Sequence, residues 1–237
     1  MITYRAAFVK RYFLYFGRRN FRLQFARACV IIALGEFGTI LTHAARPKKQ
    51  NYGVEKMKNK SVRYLVTAAL TAALYAALTM VLWEISSAGI QFRLSEALCV
   101  LPAFTPAAIP GLTIGCAVAN ILGGTWIDVV FGSLATLLAA IASYFIGRAF
   151  RVGRTERVAL GAKLLVPLPP VVFNALIIPF VLYYGYGVTA TLGATSKFAV
   201  LGLHALTVGA GEAAVCYVLG VSLMLLLNRI NRRTELF

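Results

Sequence analysis

The chain reads as an all-α membrane protein, a bundle of six transmembrane helices. Three observations predict it. First, 59% of its 237 residues are apolar and only 14% are charged, and the mean hydropathy is +0.76. Soluble domains carry far more charge. Second, four stretches are nearly free of charge over lengths that cross about 30 Å of hydrocarbon at roughly 1.5 Å per residue. They are Tyr64–Trp83, Ala97–Ile127, Val129–Gly147 and Phe198–Asn228, the last broken only by Glu212. A fifth, Leu164–Lys197, is apolar with several prolines. Third, the basic residues cluster between these runs. Lys58, Lys60 and Arg63 form one cluster, Arg148, Arg151, Arg154, Arg157 and Lys163 a second, and Arg229, Arg232 and Arg233 a third. The positive-inside rule places all three in the cytoplasm, so an even number of crossings separates each from the next. Six crossings with both termini cytoplasmic satisfy every cluster. The net charge of +16 belongs to this membrane pattern and is no nucleic-acid footprint.

Residues 1–56 hold eleven basic and two acidic residues, and their aromatic and basic residues alternate irregularly. The apolar piece Ala28–Thr42 is interrupted by Glu36 and is short for a span. Met57-Lys58-Asn59-Lys60 reads like a natural amino terminus, so 1–56 is expected to be a basic extension ahead of a six-helix membrane domain at 57–237. The alternative is a basic amphipathic segment lying on anionic lipid.

The first span, 64–83, climbs outward, with Trp83 and Glu84 at its outer interface. Pro102, Pro106, Pro110 and Gly111 then break a run barely long enough for two spans. This predicts a short descending helix, a proline turn near Thr105–Gly111 and an ascending helix ending at Ile121. A re-entrant hairpin competes with that reading. Gly123 to Asp128 form the next outer turn, and the span 129–147 descends to the second basic cluster. The span 164–184 ascends through Pro167, Pro169, Pro170 and Pro179. The last span, 198–228, returns to the third cluster. No convincing internal repeat is present.

Few polar residues lie in or beside the spans. They are Glu84, Arg93, Glu96, Asn120, Asp128, Asn174, Lys197, His204 and Glu212. Charge in a span is costly unless it faces a cavity or a partner, which makes these residues candidates for a site. Arg93 and Glu96 fit a plain i,i+3 helix pair as well as a ligand role. Asn174 fits a role in satisfying backbone freed by prolines. His204 fits hydrogen-bonded packing better than metal ligation. Trp126, Tyr183, Tyr184 and Tyr186 fit an aromatic belt. The four cysteines, with no Cys-x-x-Cys pair, fit small apolar packing. Alanines recur at spacing four in the first span, as Ala68, Ala72, Ala76 and as Ala69, Ala73, Ala77. Such faces admit close helix approach, within the bundle or onto a separate subunit.

Absences narrow the function further. There is no G-x-x-x-x-G-K-[ST], so the chain cannot hydrolyse ATP alone, and no H-E-x-x-H or G-x-S-x-G. Binding and translocation are expected rather than catalysis, with no cofactor and no metal.

The runs Gln91-Phe92-Arg93-Leu94-Ser95-Glu96-Ala97-Leu98, Leu101 to Leu112, Gly115 to Asn120 and Asp128 to Leu137 together resemble the QueT transporter family over about 57–233. Residues 1–56 have no counterpart in that pattern. The family comprises substrate-binding (S) components of energy-coupling-factor transporters assigned to queuosine precursors. The resemblance implies a six-helix S-component fold in a bacterial cell membrane, with an outward-opening pocket. It implies partners too: a membrane coupling (T) subunit and two cytoplasmic ATPase subunits. It also implies that an alanine face of the first helix, Ala68, Ala72 and Ala76 or the neighbouring Ala69 and Ala73, docks on the coupling subunit. A 7-deazaguanine, in its 7-aminomethyl form, would find acceptors in Glu96, Glu212, Asp128 and Glu84. Aromatic faces would come from Trp83, Trp126, Tyr183 and Tyr184, and carbonyl partners from Asn120 and Asn174, with Arg93 beside them. The rival reading is a stand-alone ion-coupled carrier with Glu212 and His204 as a proton relay.

Overall fold

A computed structural model describes residues 60–81, 93–155, 157–189 and 196–234. The expectations for residues 1–56, Trp83 and Glu84 therefore lie outside the described residues. Every regular element among the described residues is helical. Helix α1 spans Lys60–Val81, and a 3-10 helix follows at Leu94–Ala103. Then come α2 (Ala108–Gly123), α3 (Trp126–Ala149), the short α4 (Leu160–Leu165) and α5 (Leu168–Phe180). A π-helical turn, Val181–Gly185, closes α5. Helix α6 (Lys197–Ala214) runs through a second π-helical segment, Val215–Gly220, into α7 (Val221–Thr234).

Four of these runs are long and apolar enough to cross a membrane: Lys60–Val81, Trp126–Ala149, Leu160–Gly185 and Lys197–Asn231. The remaining two legs, Leu94–Ala103 and Ala108–Gly123, are apolar but short. Sixteen α-helical residues reach about 24 Å, and ten 3-10 residues about 20 Å. The turn between them falls at Phe104–Ala107, tighter than the expected Thr105–Gly111. Pro110 is absorbed into the first turn of α2, where a missing N–H is harmless.

A 3-10 helix of ten residues is unusually long. Pro102 sits inside it and withholds a donor. The i→i−3 pattern opens with Glu96 N donating to Arg93 O (3.1 Å) and closes with Phe104 N donating to Leu101 O (2.9 Å). This helix occupies the middle of the bundle. It packs on α1, α3, α7 and the Val215–Gly220 segment, and all but Leu94 and Leu101 of its residues are buried. Around it, α1 packs on α2, α2 on α3, α3 on α5, and α5 on α6.

The α1–α2 contact decides the fate of one alanine face. A Cβ on Gly111 would lie 2.7 Å from the Ala68 carbonyl oxygen, and one on Gly115 would lie 2.7 Å from that of Ala72. Gly111 and Gly115 are four apart, so they offer a matching bare stripe to the alanines. Ala68 and Ala76 are buried. The set Ala68, Ala72, Ala76 is therefore engaged in packing within the chain. Of the neighbouring set, Ala77 is buried, Ala73 is half-buried and Ala69 is exposed.

Candidate functional site

Most of the polar residues singled out in the sequence converge on the 3-10 helix. Glu96, in its first turn, is 1% exposed. Its Oε1 accepts from the Tyr75 hydroxyl of α1 at 2.5 Å, and its Oε2 accepts from the Cys99 thiol at 2.9 Å. The Cys216 thiol, in the π-helical segment after α6, donates to the Glu96 carbonyl at 3.7 Å. The spacing of three between Glu96 and Cys99 aligns them because side chains eclipse at i,i+3 in a 3-10 helix.

Arg93 precedes this helix and is buried. By spacing it fits an i,i+3 pair with Glu96 as well as a ligand role; its Nη2 meets Asp128 Oδ2 of α3 at 3.4 Å. Arg93 has extended backbone (φ −90°, ψ 99°), so it lies off the helical path that would stack it on Glu96. Asp128 is placed by the α3 cap. Thr125 is extended, and its side chain accepts from Asp128 N at 3.3 Å. The Tyr186 hydroxyl donates to the same Oδ2 at 3.3 Å. Partial burial, then the neighbouring Asp128 charge, raise the Tyr186 pKa above the usual phenol value, which keeps the hydroxyl a donor. Asn120, near the end of α2, donates to the Asp128 carbonyl at 3.0 Å and to Cys116 Sγ at 3.5 Å. A Cβ on Gly132 would stand 2.8 Å from Asn120 Nδ2 and 2.9 Å from Asp128 Oδ1, so only glycine fits beside this knot.

Glu212, on α6, is 1% exposed and lies within electrostatic reach of Glu96 and Arg93. Asn174 of α5 stands beside it without the geometry of a hydrogen bond. Several buried polar atoms have no hydrogen-bond partner among the described residues: Glu212 Oε2, Asn174 Nδ2, His204 Nε2, Asn120 Oδ1 and Ser133 Oγ. Buried polar atoms are rarely left so, and each marks a point where a bound molecule or water can complete the bonding. The charges are unequal as well. Three buried carboxylates, Glu96, Asp128 and Glu212, face one buried guanidinium, Arg93. Among the described residues no cluster fits a metal ion.

Two expected residues stand apart. Trp126 is 75% exposed. It opens α3 two positions before the buried Asp128, and two helical steps carry it about 200° around the axis. Tyr183 is half-buried and packs edge-on against Tyr184 at 5.0 Å. The π-helical turn Val181–Gly185 leads directly into Tyr186, the tyrosine whose hydroxyl reaches Asp128. The sequence reading missed Tyr75, although Thr71, Tyr75 and Thr79 form a polar stripe at spacing four. All three are buried, and Thr79 reaches Ser95 Oγ at 2.8 Å. It also assigned the cysteines to apolar packing, yet Cys99, Cys116 and Cys216 contact the polar groups of the site.

Comparisons with known proteins bear on this arrangement. A family model described as QueT transporter matches residues 65–229. A curated relative, the queuosine precursor transporter QueT of Lactococcus lactis subsp. cremoris (strain MG1363), is 45% identical over 84 residues. That alignment covers 35% of this chain and 50% of the relative, so the chain spans about half the length of the relative it matches. No solved structure matches.

Proposed function

The chain belongs to the QueT transporter family, and on that footing we propose that it is the substrate-binding subunit of an energy-coupling-factor transporter. Its cargo is a queuosine precursor, 7-aminomethyl-7-deazaguanine or a close relative, carried into a bacterial cell. The observation that carries this reading is the excess of buried carboxylates. Glu96, Asp128 and Glu212 outnumber Arg93, and Glu212 Oε2 has no partner among the described residues. A buried negative excess favours a cationic guest. A protonated aminomethyl arm supplies that cation. The guanine-like edge supplies adjacent N–H donors that one carboxylate accepts at two points. Asn174 Nδ2, which has no hydrogen-bond partner among the described residues, would donate to the ring carbonyl.

In this proposal the two short legs complete six crossings with both termini cytoplasmic. A membrane coupling subunit and two cytoplasmic ATPases supply the energy, because the chain has no phosphate-binding loop. Ala69 and Ala73 are the part of the alanine pattern left for the coupling subunit, since Ala68 and Ala72 already pack on α2.

One observation favours a second reading. His204 and Glu212 both lie buried on α6 with unpartnered atoms, as a proton relay in a stand-alone ion-coupled carrier would require. The two readings separate in one experiment. The purified chain is extracted from cells, and the released small molecules are identified by mass spectrometry. Uptake is then measured with and without the coupling subunit and ATPases. A co-purified 7-deazaguanine and ATPase-dependent uptake are expected. Uptake by the chain alone would establish the carrier, and absence of any 7-deazaguanine would sink the assignment of cargo.

A further inference from the structure

A cavity lies at the ends of two long helices. It measures about 620 Å³ and is lined by Arg157, Lys163 and Arg229 together with Val158, Leu225 and Leu226. Lys163 stands in the first turn of the span Leu160–Gly185, and Arg229 in the last turn of the span Lys197–Asn231. The cavity therefore sits at one membrane rim, half against the apolar zone and half against the basic zone. Its three cations have no carboxylate within ion-pair distance among the described residues, where the only ion pair is Arg93–Asp128. Leu225 and Leu226 are exposed and continue the cavity along α7.

The walls are fixed by hydrogen bonds. Asn228 Oδ1 accepts from Gly153 N at 3.0 Å, and its Nδ2 donates to Thr155 O at 3.4 Å. Asn231 Nδ2 donates to Gly153 O at 2.9 Å. Gly153 has φ +80°, which a residue with a side chain adopts only with strain. The connection after α3 is thereby tied to α7, and the cations it carries are held near Arg229.

We propose that this cavity is a binding site for an anionic glycerophospholipid. Arg157, Lys163 and Arg229 hold the phosphate and its headgroup charge, and Leu225 and Leu226 line the path of an acyl chain. Basic pockets at helix ends on the cytoplasmic side suit such headgroups. Arginine adds a planar fork that matches phosphate oxygens. The apolar wall is what distinguishes a lipid from a free anion.

The test uses the full chain purified in detergent, with thermal melting followed as lipid is added. Phosphatidylglycerol is expected to raise the melting temperature, while phosphatidylcholine and inorganic phosphate leave it near its starting value. The triple variant R157Q/K163Q/R229Q should lose the response to phosphatidylglycerol while melting normally without lipid. Should that variant fail to purify, Lys163→Gln and Arg229→Gln are measured singly, and each should weaken the response. An equal rise with phosphatidylcholine would overturn the proposal, as would an equal rise with inorganic phosphate or an unchanged response in the variants. A cavity indifferent to all three additions would overturn it as well.

Discussion

The Tyr75 hydroxyl donates to Glu96 Oε1 at 2.5 Å, joining the middle of α1 to the first turn of the 3-10 helix across twenty-one residues of chain. Both groups are buried, so neither has water to fall back on. Tyr75→Phe keeps the ring and removes the donor. A buried acceptor that loses a partner costs about 1–3 kcal/mol, more when charged. The variant should melt lower in detergent and bind ligand at least about tenfold more weakly, which is 1.4 kcal/mol. Calorimetry that shows unchanged affinity would leave Tyr75 a packing residue only.

Arg93 and Asp128 form a buried pair at 3.4 Å. Removing one partner strands the other, a loss of about 3–5 kcal/mol. Arg93→Gln and Asp128→Asn should each destabilise strongly, and the double variant should lose much less than the sum. Additive losses in thermal melting would show that the two charges act separately.

Glu96 and Glu212 divide the proposed ligand between them. Glu→Gln keeps the shape but replaces an acceptor oxygen with a donor. Charge-assisted hydrogen bonds contribute about 1.5–3 kcal/mol each, so each variant should weaken binding at least about tenfold. The carboxylate on the aminomethyl arm should lose the amine-bearing ligand and spare the neutral nitrile form. The carboxylate on the guanine edge should lose both alike. Unchanged affinities for both ligands in both variants would make the two acids structural.

Gly132→Ala inserts a methyl group 2.8 Å from Asn120 Nδ2 and 2.9 Å from Asp128 Oδ1. Overpacking of this kind costs about 1–3 kcal/mol. It should push Asn120 off the Asp128 carbonyl and weaken ligand binding more than it lowers the melting temperature. A stability loss with normal affinity would separate this knot from the binding site.

The two faces of α1 should respond differently to added bulk. Gly115→Leu or Ala72→Leu acts on the α1–α2 contact and should impair folding of the isolated chain. Ala69→Leu lies on an exposed position and should abolish uptake while sparing ligand binding. Normal uptake by the Ala69→Leu variant would remove α1 from the proposed coupling interface.

The membrane class and the long helices were legible because charge and hydropathy act over twenty residues at a time. The convergence of Arg93, Glu96, Asn120, Asp128, Asn174 and Glu212 was legible one residue at a time, because each is polar in an apolar setting. Their pairing was not. Spacing alone left Arg93 open between a pair with Glu96 and a ligand role, and nothing in it points to the extended backbone at Arg93 or to the ion pair with Asp128. The bond from Tyr186 to Asp128 was not legible either, because it follows a π-helical turn that no sequence periodicity announces. The alanine stripe was ambiguous by nature; the glycines Gly111 and Gly115, four apart, are the sequence signal for the part of it that packs on α2.

The 3-10 helix, short for a crossing of the bilayer, also bears on how the protein is made. Its ten residues reach only about 20 Å, and Arg93 and Glu96 stand at its start. Such a segment has little tendency to partition into a bilayer by itself, since charged side chains oppose insertion. Tyr75 is already synthesised when it emerges from the ribosome, but Asp128 follows thirty-five residues later and Cys216 one hundred and twenty residues after Glu96. The charge partner of Arg93 therefore exists only once α3 has been made. The centre of the bundle is thus expected to seat after the helices that surround it, out of chain order.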